Sequence, residues 1–164
     1  MKTLKSINPF NGEFIREYSA FSDEEIASAV DRSYKAFLAY RKTDLPSRAE
    51  KLNRLAGLLR EGVENYASMI TSEMGKPIGE AEAEVKKCAW VCEYYAENGE
   101  AFLQGRDEAS DARESYIRYE PLGPVLAVMP WNFPFWQVFR FAAPAMMAGN
   151  SALLKHASNV QGCA

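Results

Sequence analysis

The chain has 164 residues, of which 48% are apolar and 25% are charged, a composition typical of a globular protein of one domain or slightly more. Nineteen Lys and Arg residues against 22 Asp and Glu residues give a formal net charge of −3, which argues against a nucleic-acid-binding protein. Three cysteines and one histidine at irregular spacing predict neither a disulfide framework nor a metal site.

The longest uncharged stretch, residues 121–139, is long enough to cross a bilayer but contains four prolines, which argue against a membrane helix. The first residues lack the apolar segment of a secretory signal. We therefore expect a cytoplasmic protein that does not enter the membrane.

The first residues predict a hairpin and then a helix. Asn11-Gly12 lies between apolar residues within the stretch 7–18 and suits a type I′ turn. Ser22 and Glu25 have the spacing of a capping box, which predicts a helix start. One apolar face follows at three- and four-residue intervals, formed by Ile26, Val30, Tyr34, Phe37 and Tyr40.

Further helices are predicted up to residue 103. A second helix is expected to begin near Ser47, with Glu50 three residues later, and Gly75-Lys76-Pro77 is a typical helix end. The stretch 78–103 predicts a long helix, whose apolar stripe includes Cys88 and Cys92. Two cysteines four residues apart on such a face are better explained as core thiols than as a redox or metal-binding pair. The stripe of the second helix consists of Leu52, Leu55 and Leu59.

The composition changes after Gly105, and the last third predicts a β-α-β order. Residues 125–129 form a short apolar run that is typical of a strand buried on both faces of a parallel sheet. The implied right-handed crossover indicates an α/β fold, the opening βαβ of a doubly wound, Rossmann-type sheet that needs more strands than these. The other predicted elements are a loop at 106–114, an exposed strand at 115–120, a helix at 135–147, a strand at 150–155 and the start of another helix at 159–164.

Two polar residues follow the predicted parallel strands at their carboxyl ends, where open α/β sheets bind ligands. Asn132 is framed by Pro130 and Pro134, which restrict the backbone, and a fixed amide N–H suits the stabilisation of an oxyanion. On local chemistry alone, the simpler interpretation is favoured, that Asn132 only bonds the backbone of its turn. Lys155 ends the next strand, and a cation there suits a nucleotide ribose or phosphate, although a solvated lysine is the simpler reading.

Conventional phosphate-binding loops and a Ser-His-Asp triad are not indicated. The chain contains neither G-x-G-x-x-G nor a Walker A sequence, and nothing around His156 resembles a nucleophile elbow.

Five pieces of sequence, in order and at matching spacing, resemble the aldehyde dehydrogenase superfamily. Residues 135–140 and 155–160 add a narrower similarity to succinate-semialdehyde dehydrogenases, and Asn8-Pro9 with Gly12 extends the resemblance over almost the whole chain. The five pieces are Glu73-Met74-Gly75-Lys76-Pro77, Pro121-Leu122-Gly123-Pro124-Val125, Pro130-Trp131-Asn132-Phe133-Pro134, Ala148-Gly149-Asn150 and Leu154-Lys155.

The resemblance implies a role for individual residues. Asn132 would donate its side-chain amide to the oxyanion of a thiohemiacetal and of the later thioester. Met129, Pro130 and Trp131 would line the nicotinamide end of the cofactor site. Lys155 would bond the adenosine ribose, and Ser158, small and uncharged where many NAD-preferring members carry Glu, would tolerate the 2′-phosphate of NADP. The implied cofactor is therefore NAD or NADP.

The resemblance also implies a reaction that this chain does not complete. A family member oxidises an aldehyde, here expected to be succinate semialdehyde, through a cysteine thioester. The family's chains are much longer, and their catalytic Cys and Glu lie beyond the stretch that matches. None of Cys88, Cys92 and Cys163 matches the motif of the nucleophile, so the 164 residues alone are predicted to be inactive.

Three segments and a homo-oligomer are also implied. Residues 1–105 would form the hairpin and helical part of the cofactor-binding domain, 106–120 a strand of the bridging and oligomerisation region, and 121–164 the start of the NAD(P)-binding sheet. Family members are commonly dimers or tetramers. The alternative hypothesis is a non-catalytic truncated module that binds a partner through an unpaired sheet edge.

Overall fold

Helices dominate the first two thirds of the chain and a β-α-β unit follows, as predicted, in the computed structural model, which describes residues 3–164. The elements are β1 (Thr3–Ile7), β2 (Phe14–Ser19), α1 (Asp23–Tyr40), α2 (Leu45–Glu61), α3 (Val63–Met74), α4 (Ile78–Leu103), β3 (Arg106–Asp107), β4 (Tyr116–Ile117), β5 (Pro124–Val128), α5 (Trp136–Met147) and β6 (Ser151–Lys155).

β1 and β2 form the predicted antiparallel hairpin, but its connection is not a type I′ turn. A type I′ turn needs positive φ at both central residues. Gly12 has φ of 75°, whereas no non-glycine residue in the described part of the chain has positive φ, so Asn11 does not meet this condition. A longer loop is closed instead by hydrogen bonds from Asn8 N to Glu13 O and from Gly12 N to Asn8 O.

The helix ends described here lie where the sequence predicts them, except for the start of the second helix. Ser22 and Glu25 form the predicted capping box, and Gly75 ends α3 in the left-handed conformation with φ of 75°. The second helix begins earlier than the predicted start near Ser47. Asp44 is its N-cap, because the Asp44 carboxylate accepts a hydrogen bond from Ser47 N at 2.8 Å, and Pro46 fits the first turn.

The core lies where α4 packs against α2, α3 and α5. Cys88 and Cys92 are fully buried within it as free thiols, which confirms their interpretation as core residues. The stripe of α2 is buried at Leu52 and Leu59 and partly buried at Leu55. The main members of the core are Leu52, Ala56, Leu59, Ala67, Ile70, Ala81, Val85, Cys88, Ala89, Cys92, Ala143 and Met147.

The apolar face of α1 is covered only near its C-terminus. Phe37 is buried, whereas Ile26, Val30 and Tyr34 remain about half exposed. α1 lies against the parallel sheet near the start of β6, where the hydroxyl groups of Ser33 and Ser151 are 3.0 Å apart. Because this sheet has two strands within residues 3–164, it offers too little surface to cover the whole stripe.

β5 and β6 are parallel and joined by α5, which confirms the predicted β-α-β order and the α/β class. The expectation that the strand at 125–129 is buried on both faces is wrong within this chain. Ala127 is buried, but Leu126 and Val128 are 65% and 64% exposed. Within the described residues, β6 is the strand paired with β5, and α1 lies mainly over the β6 side, so the outward face of β5 remains open.

The predicted strand at 115–120 is shorter than expected, and part of the predicted loop at 106–114 is a strand. Arg106–Asp107 pairs with Tyr116–Ile117 in an antiparallel ladder of two residues on each strand, which leaves the flanking residues outside it.

The last residues form turns instead of the predicted helix. The buried Glu73 carboxylate accepts hydrogen bonds from Gly162 N at 2.8 Å and Cys163 N at 2.9 Å, so these amides bind a side chain rather than the carbonyl oxygens of a helix. Ser6 donates its hydroxyl to the same carboxylate at 2.5 Å, which ties the end of the described chain to β1. Among residues 3–164, no helix combines the length and the apolar character needed to cross a membrane.

Candidate functional site

The candidate site is the turn that follows β5. Met129 N donates a hydrogen bond to Lys155 O at 3.1 Å, which continues the parallel pairing one step past the strands. The turn then projects Trp131 and Asn132 into solvent, while Lys155 is exposed at the end of β6. The structure therefore brings the turn and Lys155 to the same edge of the sheet, as the sequence predicts.

A buried carboxylate holds the far end of the turn. α5 has no side-chain cap of its own, and the amides at its start would otherwise lack partners. Glu84 of α4 provides the acceptor, since its Oε1 atom accepts hydrogen bonds from Phe135 N and Trp136 N, both at 2.9 Å. A negative charge at a helix N-terminus is favourable, so Glu84 fixes where α5 begins.

Lys76 completes this anchor. Its ammonium group forms a buried ion pair with Oε2 of Glu84 and lies 3.7 Å from the centre of the Phe133 ring. Glu84 and Lys76 are only 4% and 7% exposed. One ion pair therefore holds the turn at two places, through the ring of Phe133 and through the amide of Phe135.

His156 attaches the middle of the turn to the loop after β6. Its Nδ1 atom accepts a hydrogen bond from Ala157 N at 2.8 Å, so the ring hydrogen lies on Nε2 and is donated to Pro134 O at 2.9 Å. Both ring nitrogens of this buried residue are thus occupied by backbone groups. His156 has a structural role here and is not placed as a general base.

Lys155, the last residue of β6, and Ser158, in the loop after it, are both exposed, and Asn132 is exposed on the turn. These side chains do not line the apolar cavity of about 260 Å³ that is bordered by the end of the turn. That cavity is bounded by Tyr66, Pro134, Phe135, Leu154 and Cys163, among others. The predicted binding residues consequently form an open surface within this chain, not an enclosed pocket.

The three thiols are unsuited to act as nucleophiles. Burial raises the pKa of Cys88 and of Cys163, and it raises the pKa of Cys92 to about 12. The nearby carboxylates of Glu84 and Glu73 raise the pKa of Cys88 and Cys163 further. A catalytic cysteine needs a lowered pKa, so none of these thiols is activated. In the part of the chain that the structure describes, no cluster of His, Cys, Asp or Glu is placed to hold a metal ion.

Sequence reasoning missed Lys76 and Glu84 as parts of the site. A signal for Glu84 was present, because it lies between Ala81 and Val85 on the buried stripe of α4, where a charged residue needs a partner. Nothing in the sequence indicated that its partners are Lys76 and the backbone amides of residues 135 and 136.

Comparison with known proteins agrees with this architecture. The model of the "Aldehyde dehydrogenase family" matches residues 1–164. The chain is 47% identical over 161 residues to a "Probable succinate-semialdehyde dehydrogenase [NADP(+)]" of Synechocystis sp., covering 98% of this chain and 36% of that protein. It is 49% identical over 166 residues to "Succinate-semialdehyde dehydrogenase [NADP(+)] 1" of Mycobacterium tuberculosis, again covering 98% and 36%.

Solved structures show the same relationship. The succinic semialdehyde dehydrogenase of Streptococcus pyogenes, crystallised in complex with NADP+, matches with a TM-score of 0.94 and 34% identity over 98% of this chain and 36% of that chain. An aldehyde dehydrogenase of Brucella melitensis matches with a TM-score of 0.94 and 30% identity. This chain thus spans about 36% of the length of the curated relatives. Because the family model matches the whole chain, this protein belongs to the aldehyde dehydrogenase family.

Proposed function

We propose that this chain supplies the oxyanion-binding amide and part of the cofactor site of an NADP- or NAD-dependent aldehyde dehydrogenase. The observation that carries the proposal is the position of Asn132, on a turn at the carboxyl end of β5 that is anchored from inside by Glu84, Lys76 and His156. A turn fixed in this way holds its exposed amide without further rearrangement, which is what oxyanion stabilisation requires.

The proposed substrate is succinate semialdehyde, because the relatives named above are succinate-semialdehyde dehydrogenases at 47% to 49% identity. The reaction would form a thiohemiacetal and then a thioester, and Asn132 would donate its side-chain N–H to the oxyanion of the first and to the neutral carbonyl oxygen of the second. None of Cys88, Cys92 and Cys163 is suited to be the attacking cysteine, because all three thiols have raised pKa values. We therefore expect the 164 residues alone to be inactive.

The residues at the sheet edge fit a dinucleotide that accepts hydride when it is bound. Lys155 is an exposed cation that would bond the adenosine ribose, and Ser158 is an exposed, uncharged residue that leaves room for a 2′-phosphate. Met129, Pro130 and Trp131 lie on the turn and would line the nicotinamide end. The names of the relatives support NADP+ as the preferred form.

Assembly, location and domain boundaries complete the proposal. We propose a homo-oligomer, a dimer or tetramer, in the cytoplasm. Residues 1–105, 106–120 and 121–164 are proposed as the helical part of the cofactor-binding domain, the bridging segment and the start of the NAD(P)-binding sheet.

The experiment begins with the intact mass of the purified protein. A mass of 18.4 kDa identifies the 164-residue species, and a larger mass identifies a longer one. Oxidation of succinate semialdehyde is then followed with NADP+ and with NAD+. In a longer species that contains this chain, Asn132→Ala should lower kcat about 10²- to 10³-fold, the usual cost of removing an oxyanion donor. Asn159→Ala, which removes an exposed amide from the loop after β6, serves as the matched control and should leave kcat unchanged. Full activity of Asn132→Ala would refute the assigned role, and turnover by a verified 164-residue species would refute its expected inactivity.

One observation favours the second candidate, a non-catalytic interaction module. β5 and β6 each have one edge that is unpaired among residues 3–164, and Leu126 and Val128 expose apolar surface beside it. A module that binds through this edge would be a clean monomer when purified and would not bind NADP+. Concentration-dependent association in light scattering, or NADP+ binding that Lys155→Ala weakens, would exclude it.

A further inference from the structure

The buried pair of Lys76 and Glu84 is placed between the helical core and the turn that carries Asn132. Glu84 lies on α4, and Lys76 lies in the short connection between α3 and α4. Neither residue reaches solvent to a useful extent, so neither is placed to contact an aldehyde or a cofactor directly. We propose that the Lys76–Glu84 pair is the positioning element that directs the Asn132 amide, an inference that rests on the function proposed above.

The two oxygens of Glu84 serve different partners. Oε1 accepts from two consecutive backbone amides, Phe135 N and Trp136 N, while Oε2 accepts from the ammonium group of Lys76. All of these are charge-assisted hydrogen bonds, which are stronger than bonds between neutral groups. The carboxylate therefore sets the position and direction of the chain where it leaves the turn and enters α5.

Lys76 holds Phe133, the residue that follows Asn132. Its ammonium group faces the ring of Phe133 at 3.7 Å from the ring centre, and Phe133 follows Asn132 directly in the chain. The carbonyl of Pro134, the next residue, is held by His156. Three successive residues after Asn132 are thus held by groups outside the turn. The backbone that carries the exposed amide is therefore held on the C-terminal side of Asn132.

A neutral glutamine at position 84 would disturb this arrangement in a defined way. It keeps one oxygen for the amides of α5, but it turns its NH₂ group, a donor, toward the buried ammonium of Lys76. An ammonium group left without its counter-ion in a buried site is strongly unfavourable, so Lys76 would withdraw from the ring of Phe133. Aspartate at position 84 keeps the charge but shortens the side chain, and we expect it to restore the function in part.

Glu73 provides a matched control. It is also buried, it also accepts from two consecutive amides, Gly162 N and Cys163 N, and it also stabilises a turn at the end of an element. Its hydrogen-bond partners are Ser6, Gly162 and Cys163, none of which belongs to residues 130–136. A Glu73→Gln variant therefore reproduces the loss of a buried carboxylate without releasing the turn of Asn132.

The kinetic test is a double-mutant cycle in the longer species that contains this chain, with oxidation of succinate semialdehyde as the measured reaction. Glu84→Gln should lower kcat about 10- to 100-fold, the effect of a small misplacement of a catalytic group, with KM for NADP+ within about twofold of the original. In the Asn132→Ala background, the same substitution should lower kcat less than about twofold, because the group that it misplaces is gone. Glu73→Gln should have the same effect in both backgrounds. Equal effects of Glu84→Gln with and without Asn132 would show that the pair only stabilises the fold and would overturn the proposal.

A second readout needs no activity. In the 164-residue chain, the NMR signals of the Asn132 side-chain amide and of Phe135 N–H should shift and broaden in Glu84→Gln, return toward the original in Glu84→Asp, and stay unchanged in Glu73→Gln. Unchanged Asn132 signals in Glu84→Gln would refute the positioning role. If these signals respond as expected while the longer species that contains this chain oxidises no succinate semialdehyde, the proposed function fails and the positioning of Asn132 stands.

Discussion

His156 lies with Nε2 at 2.9 Å from the carbonyl oxygen of Pro134, and its Nδ1 atom accepts from Ala157 N. This side chain joins the turn after β5 to the loop after β6 at a point beyond the last pairing of the two strands. The two loops that carry Asn132 and Ser158 are thereby held as one unit. The imidazole adds to the hydrogen bond from Met129 N to Lys155 O a second link between the loop of the proposed oxyanion donor and that of the proposed cofactor-selecting residue.

Replacement of His156 should consequently loosen both loops. In His156→Ala, Pro134 O loses its partner in a buried position and Ala157 N loses its partner in a partly buried one, which should lower the free energy of unfolding by about 1 to 3 kcal/mol. Urea denaturation measures this change, and the fluorescence of Trp131 on the turn reports the local effect. Asn159→Ala, an exposed residue on the same loop, should leave both unchanged. Wild-type stability of His156→Ala would mean that the two loops are held elsewhere.

Periodicity and capping signals predicted the helices well. The capping box of Ser22 and Glu25 and the left-handed Gly75 are local arrangements, and the sequence contains all of their parts. The start of α2 was displaced because Asp44 and Ser47 are both good capping residues, and local sequence does not decide between them. The sequence also placed Asn132 and Lys155 at one sheet edge, since parallel strands share the direction of their carboxyl ends.

Long-range contacts were beyond the reach of the sequence. Glu84 contacts amides 51 and 52 residues further along the chain, and only the packing of α4 against α5 brings them together. The exposure of Leu126 was missed for a related reason. An apolar run indicates that a strand is buried in a sheet, but it does not state which part of the protein supplies the neighbouring strands.

The substitutions Gly149→Ala and Gly57→Ala should change the stability of the protein in opposite directions. Gly149 has φ of 90°, and an added Cβ would lie 2.7 Å from Nη1 of the buried Arg48, so Gly149→Ala combines backbone strain with a steric clash. We expect a loss of about 1 to 3 kcal/mol. Gly57 lies within α2, and its added Cβ would meet nothing within 4 Å, so Gly57→Ala should stabilise the protein by about 0.5 to 1 kcal/mol. Thermal unfolding of both variants checks the pair, and similar shifts in the same direction would contradict it.

Arg48 should not be replaceable by lysine. Its guanidinium donates to Met147 O at 3.1 Å, at the end of α5. It also donates to Arg41 O at 3.0 Å, to Thr43 O at 2.8 Å and to the Thr43 hydroxyl at 3.1 Å. Arg48 therefore joins the end of α5 to the connection between α1 and α2. An ammonium group does not span these acceptors with the geometry of the planar fork. Arg48→Lys should therefore cost on the order of 3 kcal/mol in denaturant unfolding despite its unchanged charge. Arg54→Lys, on the exposed side of the same helix, is the control and should be neutral.

The buried thiols should make the protein lose stability in alkaline solution. Burial raises the pKa of Cys92 from 9.0 to about 12, and it raises the pKa of Cys88 in the same direction. Below pH 9 both the folded and the unfolded chain keep these thiols protonated, and the stability from burying them is fully present. As the pH rises from 9 toward 12, the unfolded chain ionises first, so the stability is progressively lost.

Urea denaturation between pH 7 and pH 10.5 measures this loss. Tyr18 and Tyr40 also have raised pKa values and add to it, so the informative quantity is the difference between the original protein and Cys92→Ala. The variant is expected to be less stable at pH 7, because its smaller side chain leaves a cavity, but to lose less stability on going to alkaline pH. At pH 8 a thiol reagent should modify Cys92 only as fast as the protein unfolds. Parallel pH profiles of the two proteins would show that Cys92 ionises in the folded state as easily as in the unfolded chain.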